Sequence, residues 1–84
     1  MLTLFDADLN KNYLIIKIGV LGKEGVRLNE LGLTIGAIIT PILKPIFNEP
    51  ILIKINGYYL ALDETFSKQI IVNEIKCRQK KLPS

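Results

Sequence analysis

The 84-residue chain contains no histidine, no tryptophan and a single cysteine, Cys77. Without histidine, and with its acidic residues scattered among turns, the sequence lacks the convergent titratable groups of an enzyme active site. Zinc and similar metals prefer histidine and cysteine ligands, and this chain offers one such side chain. We therefore expect no catalytic residues, no metal-ligating residues and no cofactor.

Signatures of phosphate and nucleic-acid binding are also missing. Gly19, Gly22 and Gly25 recur every third residue, but they are not followed by the basic and hydroxyl residues of a phosphate-binding loop. Tyr58 and Tyr59 are adjacent, so in a strand they point to opposite faces and do not form a stacking platform for bases. We expect no nucleic-acid partner.

The lone cysteine and the early charges bear on the location of the protein. One cysteine cannot close an intrachain disulfide, which favours a reducing, cytoplasmic compartment. Asp6, Asp8, Lys11 and Lys17 interrupt the apolar region that a signal peptide requires. The longest uncharged stretch, residues 31–43, is shorter than the roughly 20 residues of a membrane helix, so we expect no membrane insertion.

The chain length and the distribution of charge indicate one domain followed by a basic tail. Eighty-four residues suffice for one small hydrophobic core. The formal net charge is +3, and four of the eleven lysine and arginine residues lie within the last nine positions. We expect a single domain over residues 1–75 and a flexible, solvated tail over residues 76–84.

Runs of alternating aliphatic residues predict five short β-strands, at residues 13–18, 37–43, 51–55, 58–62 and 70–75. A proline cannot donate a hydrogen bond to a neighbouring strand, so Pro41 predicts an edge or a bulge in the second run. Before the first run, Asp6 is expected to cap a helical turn, with Leu4 and Leu9 pointing inward.

Four residues, Gly32, Gly36, Asn56 and Gly57, are predicted to form structural turns. Gly32 follows a short predicted helix at residues 26–31, where a left-handed glycine usually ends the helix. Asn56-Gly57 between two strands predicts a two-residue type I′ hairpin. The sequence therefore predicts a mostly β, small, SH3-like, partly open barrel of about five strands, with one short helix inserted after the first strand.

These pieces, in this order, resemble the FeoA family of bacteria. The similarity covers about residues 4–72 and is carried by ADLNKN, RLNELGLTIGAIIT, KPIFNEPILIKINGYYLAL and the Ile-Ile-Val run at 70–72. FeoA proteins are small, cytosolic, SH3-like accessory proteins of ferrous iron transport. The resemblance implies a non-enzymatic protein that docks on the cytosolic part of the FeoB-type membrane transporter, a GTPase-linked Fe²⁺ permease.

The same resemblance implies an association with transition-metal-ion binding, for which this chain offers no ligand cluster. It also draws attention to Ile38, Leu52 and Tyr59, where the family pattern favours acidic residues. Alternation of the strands places these three side chains outside the barrel, and an apolar outer patch usually marks a contact surface. We expect them to contribute to a homo-oligomer or to a transporter interface; compositional bias toward isoleucine is the alternative explanation.

Two other functions stay open at this point. The chain could be a stand-alone relative of the SH3-like regulatory domain that ends iron-dependent repressors. That hypothesis predicts a DNA-binding helical domain upstream. This sequence begins at Met1 and contains no such segment, which disfavours this alternative. The chain could also bind a transition metal directly, which the scarcity of ligand side chains disfavours.

Overall fold

The computed structural model describes residues 1–44 and 50–75. These residues form a six-stranded antiparallel sheet in the order β1-β6-β2-β3-β4-β5. The strands are β1 Leu2–Thr3, β2 Tyr13–Ile18, β3 Ile38–Leu43, β4 Ile51–Ile55, β5 Tyr58–Leu62 and β6 Ile70–Glu74. The helical segments are a 3₁₀ turn at Leu4–Asp6, α1 at Gly22–Glu30 and α2 at Glu64–Ser67.

The sheet is open, because β1 and β5 do not pair with each other within the described residues. It curls around one hydrophobic core, to which every second residue of β4 contributes: Ile51, Ile53 and Ile55 are fully buried. Tyr13 and Ile15 from β2, Ile39 from β3 and Val72 from β6 complete the same inner face. The predicted mostly β, partly open architecture is confirmed, with six strands in place of about five.

The additional strand, β1, lies at one edge and pairs with β6 through Leu2–Val72 and Thr3–Ile71. Two residues are too few to show alternation, so hydrophobic periodicity contains no signal for this strand. The 3₁₀ turn that follows is capped by Thr3, whose hydroxyl oxygen accepts from the Asp6 backbone N–H at 3.3 Å. The expectation that Asp6 caps this turn was therefore wrong.

Helix α1 begins earlier than predicted, at Gly22 instead of residue 26. Two of the regularly spaced glycines, Gly22 and Gly25, lie in its first turns. A Cβ atom at Gly25 would lie 2.5 Å from the carbonyl oxygen of Val20, so the missing side chain lets the helix approach the preceding backbone closely. Tertiary packing therefore overrides the low helix propensity of glycine at this position.

The C-terminal end of α1 is a Schellman motif. The Gly32 N–H donates to the Asn29 carbonyl at 3.0 Å, and the Leu33 N–H donates to the Leu28 carbonyl at 2.9 Å. Gly32 has a φ of 98°, a conformation that glycine adopts without a steric penalty. Leu28 and Leu33 are both buried, so the motif also fixes the helix to the core.

Pro41 produces the predicted irregularity in β3. Its carbonyl accepts from the Asn10 N–H at 2.7 Å, and the register with β4 shifts between Pro41 and Leu43. The strand is internal, but the residues paired with β2 are Ile38 and Ile39, so Pro41 lies beyond that ladder. The bulge alternative was therefore correct.

Residues 76–84, with the predicted tail and Cys77, lie outside the described residues, so the predicted domain boundary stays a prediction. Within the ranges 1–44 and 50–75, no helix combines the length and the apolar character needed to cross a membrane.

Candidate interaction surface

The hairpin formed by β4 and β5 contributes several exposed side chains to the outer face of the sheet. Asn56 and Gly57 connect its strands with φ values of 51° and 83°, the two positive angles of a type I′ turn. Ile55 pairs with Tyr58 directly before the turn, and Ile51 pairs with Leu62 at the other end. This regular register fixes which side chains face outward.

Ile38, Leu52 and Tyr59 all lie on the outer face of the sheet, since their neighbours along each strand turn inward. Ile38 is 53% exposed and Tyr59 is 60% exposed, whereas Leu52 is half-buried. Lys54 pairs with Tyr59 on one side and with Thr40 on the other. The predicted residues therefore share one face, but a charged and a polar side chain separate Ile38 from the other two.

A further exposed leucine, Leu43, belongs to this face and was missed by the sequence analysis. It is 59% exposed and pairs with Leu52, which pairs in turn with the exposed Ala61. Strict alternation from the buried Ile39 would have turned Leu43 inward. The bulge after Pro41 reverses its direction, and the proline was the sequence signal that could have revealed it. We name Ile38, Leu43, Leu52 and Tyr59 the outer apolar face.

The end of α1 contacts the β4–β5 turn. The Tyr58 hydroxyl donates to the Leu31 carbonyl, which satisfies an acceptor at the helix terminus. A Cβ atom at Gly32 would lie 2.7 Å from the side-chain nitrogen (Nδ2) of Asn56 and 3.3 Å from the hydroxyl oxygen of Tyr58. The predicted turn residue Gly36, which also has a φ of 98°, faces open space instead.

A groove of about 350 Å³ lies between α1, β5 and α2. Its apolar lining comes from all three elements: Leu28, Leu31, Leu60, Leu62 and Phe66. Ala61 also lines the groove, together with the charged residues Glu24, Arg27 and Asp63. Sequence analysis did not predict this groove, because it predicted a shorter helix that lacked Glu24 and its neighbours. We name it the α1–β5 groove.

The ion pairs of the described residues lie elsewhere on the surface. Lys11 contacts Asp8 at 3.4 Å and Glu74 at 3.8 Å, and these carboxylates raise the pKa of Lys11, with the hydrogen bond to Asp8 as the largest cause. Lys68 contacts Glu64 at 2.7 Å and lies 4.8 Å from the centre of the Phe5 ring. Both sets are exposed and tie neighbouring segments together.

The described part of the chain brings no three histidine, cysteine, aspartate or glutamate side chains together in a group that could hold a metal ion. No side-chain nitrogen or oxygen atom is buried there without a hydrogen-bond partner. The described residues present two apolar surfaces, the outer apolar face and the α1–β5 groove.

An open antiparallel barrel with a helix between its second and third strands defines a small, mostly β module. A sequence model of the FeoA domain matches residues 2–74. The chain therefore belongs to the FeoA domain family. A comparison with curated proteins gave no match.

Solved structures of ferrous iron transport proteins share this fold. Iron(II) transport protein A from Clostridium thermocellum superposes with a TM-score of 0.83 at 20% identity, over 88% of this chain and 46% of that chain. The present chain thus spans less than half of that protein. FeoA from Stenotrophomonas maltophilia, a zinc complex described as a prokaryotic SH3 domain protein, has a TM-score of 0.72 at 25% identity, covering 87% and 91% of the two chains.

The manganese-activated repressor ScaR contains a similar fold. Its cadmium-bound structure has a TM-score of 0.79 at 23% identity, covering 89% of this chain and 35% of the repressor chain. The similarities to these transport proteins and to the repressor agree with the SH3-like fold that the sequence predicted.

Proposed function

We propose that this protein is a non-enzymatic accessory protein of ferrous iron uptake that docks on the cytosolic part of a FeoB-type Fe²⁺ transporter. Membership of the FeoA domain family supports the transport role. The S. maltophilia relative is itself described as a candidate activating factor of ferrous iron transport. The observation on which the docking role rests is the outer apolar face, because exposed apolar patches often mark contact sites for other proteins.

The chemistry of this face defines what it binds. Ile38, Leu43 and Tyr59 expose more than half of their surface, and burying apolar area contributes about 25 cal/mol per Å². Lys54 lies among them on β4, so a fitting partner surface is apolar with a carboxylate placed opposite this lysine. Contact of this kind gives the protein a cytoplasmic position peripheral to the membrane, held there by the transporter.

The test is binding to the purified cytosolic domain of the FeoB-type transporter from the same organism. We expect Leu52→Glu and Tyr59→Glu each to weaken binding at least about tenfold, because each buries a charge in an apolar contact. Val26→Glu is the matched control: Val26 is an exposed aliphatic residue on the outer side of α1, away from this face. Its affinity should equal that of the wild type.

Three results contradict the proposal: no binding by the wild-type protein, equal binding by Leu52→Glu, or an equal loss in the Val26→Glu control. Sedimentation velocity of the same variants separates docking from self-association. A wild-type oligomer that Leu52→Glu dissociates, with transporter binding intact, assigns the outer apolar face to a homo-oligomer.

The likeness to ScaR favours a second candidate function, that of a regulatory module acting on a metal-dependent repressor. The similarity extends over 89% of this chain. In that case, adding the purified protein changes the operator occupancy of a repressor from the same organism in a gel-shift assay. Unchanged occupancy, together with transporter binding, leaves the accessory role.

The expectation that the protein binds no metal stays a prediction. Anaerobic titration with Fe²⁺ or Zn²⁺, followed through backbone amide shifts, tests it. We expect no saturable shifts at micromolar metal; saturation at one defined set of residues assigns a direct metal-binding function instead.

A further inference from the structure

Among residues 1–44 and 50–75, the backbone groups along the outer edge of β5 have no strand partner. Within the described residues β5 pairs only with β4, so it forms an edge of the sheet. The two-residue turn makes Ile55 and Tyr58 a hydrogen-bonded pair, and hydrogen-bonded positions alternate along an antiparallel ladder. Tyr59 and Ala61 therefore direct their N–H and C=O groups away from β4, toward the free edge.

This edge lacks the features that usually prevent strand pairing. Edge strands are commonly kept apart from other chains by charged residues, proline, a bulge or a very short length. β5 has five residues, none of them charged or proline, and its register with β4 is regular throughout. An extended chain can therefore add to it as a further strand.

The α1–β5 groove lies where the inward-facing side chains of an added strand would go. Leu60 and Leu62 form its β5 side, while Leu28 and Leu31 face them from α1. A strand edge beside an apolar helix wall is the arrangement in which peptide-binding domains accept an extended ligand by strand addition. Side chains at every second position of the ligand would enter the groove.

The positions of the charged residues that line the groove indicate which end of a bound segment would carry a basic side chain. The Tyr58 hydroxyl bonds the Leu31 carbonyl, so the C-terminal end of α1 lies at the start of β5. Glu24 lies two turns before Leu31 on α1, and it lines the groove together with Asp63, the residue that follows β5. The groove thus holds two carboxylates, of which Asp63 also accepts from the Thr65 N–H, and one guanidinium, that of Arg27.

We propose that β5 and the α1–β5 groove bind an extended segment of a partner protein, with aliphatic side chains at alternate positions and a lysine or arginine at the end near Glu24 and Asp63. A second copy of this chain fits less well, because β5 is uncharged and brings no basic residue to these carboxylates. This site goes beyond the proposed function: it lies at the strand edge and not on the outer apolar face.

A display library of random eight-residue peptides, selected on the full-length protein, tests the site. We expect enrichment of aliphatic residues at alternate positions with a lysine or arginine at one end. Synthetic copies of the enriched peptides should slow hydrogen exchange of the Tyr59 and Ala61 amides at least about tenfold, because these N–H groups then donate to the added strand.

Two matched pairs of variants sharpen the test. Ala61→Pro removes an outward N–H, so peptide affinity should fall at least about tenfold, whereas Ala61→Val keeps the donor and should weaken binding much less than Ala61→Pro. Glu24→Lys should weaken binding of the basic peptides by a factor of about 2 to 5, as expected for an exposed ion pair. Glu30→Lys, on the same helix but outside the groove, should not change it.

The proposal is overturned if no peptide is enriched, or if the enriched peptides bind the Glu24→Lys and Ala61→Pro variants as they bind the wild type. A wild-type dimer that Ala61→Pro dissociates assigns the edge to a second copy instead. If Ala61→Pro does not fold, two other measurements test the proposal. These are the hydrogen exchange of the Tyr59 and Ala61 amides in the wild type, and the comparison of peptide affinity between Glu24→Lys and Glu30→Lys. The assay contains no transporter, so its failure is distinct from failure of the transporter-docking proposal.

Discussion

The two edges of the sheet, β1 and β5, are built in opposite ways. β1 has two residues, both half-buried, and the chain continues at once into the 3₁₀ turn that contacts β6 and α2. β5 has five residues, of which Tyr58, Tyr59 and Ala61 are exposed. One edge is therefore short and joined to the core, while the other is long and accessible.

This difference indicates that the segment at the β1 edge contributes to the stability of the core, whereas the β5 edge leaves surface exposed for contact with other molecules. Leu4 and Ala7, which follow β1, are fully buried, so the covering segment belongs to the core. The side chains of Tyr59 and Ala61 face away from the core. Substitutions near β1 should consequently change folding, whereas those on the outward positions of β5 should change binding.

The largest effect expected from this comparison is that of Leu4→Ala. Leu4 is 0% exposed, and removing a buried leucine side chain costs about 2–5 kcal/mol of unfolding free energy through lost burial and a cavity. Leu9→Ala is the control, since Leu9 is 38% exposed and the expectation that it points inward was wrong. Denaturant unfolding measures both, and similar losses would show that the β1 segment is not part of the core.

A smaller effect is expected at the link between α1 and β5. Gly32→Ala forces a side chain into a positive φ, which costs about 1–2 kcal/mol, and its Cβ also displaces Asn56 and Tyr58. Gly36→Ala has the same φ without neighbours within 4 Å, so it isolates the backbone cost. Thermal unfolding should rank Gly32→Ala below Gly36→Ala; equal stabilities would mean that the helix end does not support the β5 edge.

The sequence prediction was accurate for the longer strands, including the β5 edge, and missed the short β1 edge. The runs at 13–18, 51–55 and 58–62 match β2, β4 and β5 residue for residue, because their alternation records which face meets the core. β1 is too short to alternate, and α1 begins among glycines whose role depends on a close approach to Val20. Local propensity contains no information about such tertiary contacts.

The candidate surfaces were predictable to a lesser degree. Alternation was enough to place Ile38, Leu52 and Tyr59 on the outer side of the sheet, although their role in binding stays a prediction. It failed for Leu43, because a bulge reverses side-chain direction and its position depends on pairing between strands. The α1–β5 groove requires the packing of a helix beside a distant strand, which sequence periodicity does not encode.

A still smaller change in unfolding free energy is expected from substitutions of the two tyrosines at the start of β5. Tyr58→Phe removes the hydrogen bond to the Leu31 carbonyl, which should lower the unfolding free energy by about 0.5–1.5 kcal/mol. Tyr59 faces the outer side, so Tyr59→Phe should change stability by less than about 0.5 kcal/mol. Chemical denaturation distinguishes the two, and an equal loss would contradict the distinct roles of these neighbours.

The smallest effect is expected from the exposed ion pairs of Lys11, which join the turn after the β1 segment to β6. The hydrogen bond to Asp8 and the charge of Glu74 raise the pKa of Lys11 above its ordinary value of 10.5. A lysine whose pKa is higher in the folded state stabilises that state fully below pH 10.5, and the contribution disappears as the pH rises through the folded-state value.

Lys11→Gln should therefore lower stability slightly at neutral pH and flatten the decline of unfolding free energy above pH 10.5. Added salt should reduce the difference between Lys11→Gln and the wild type, because these charges are exposed and screened. Lys17→Gln is the control, since Lys17 is an exposed lysine of β2 that makes no ion pair among the described residues. If both variants flatten the alkaline decline equally, the covered edge gains nothing specific from Lys11, and its stability then depends on the burial of Leu4 and Ala7.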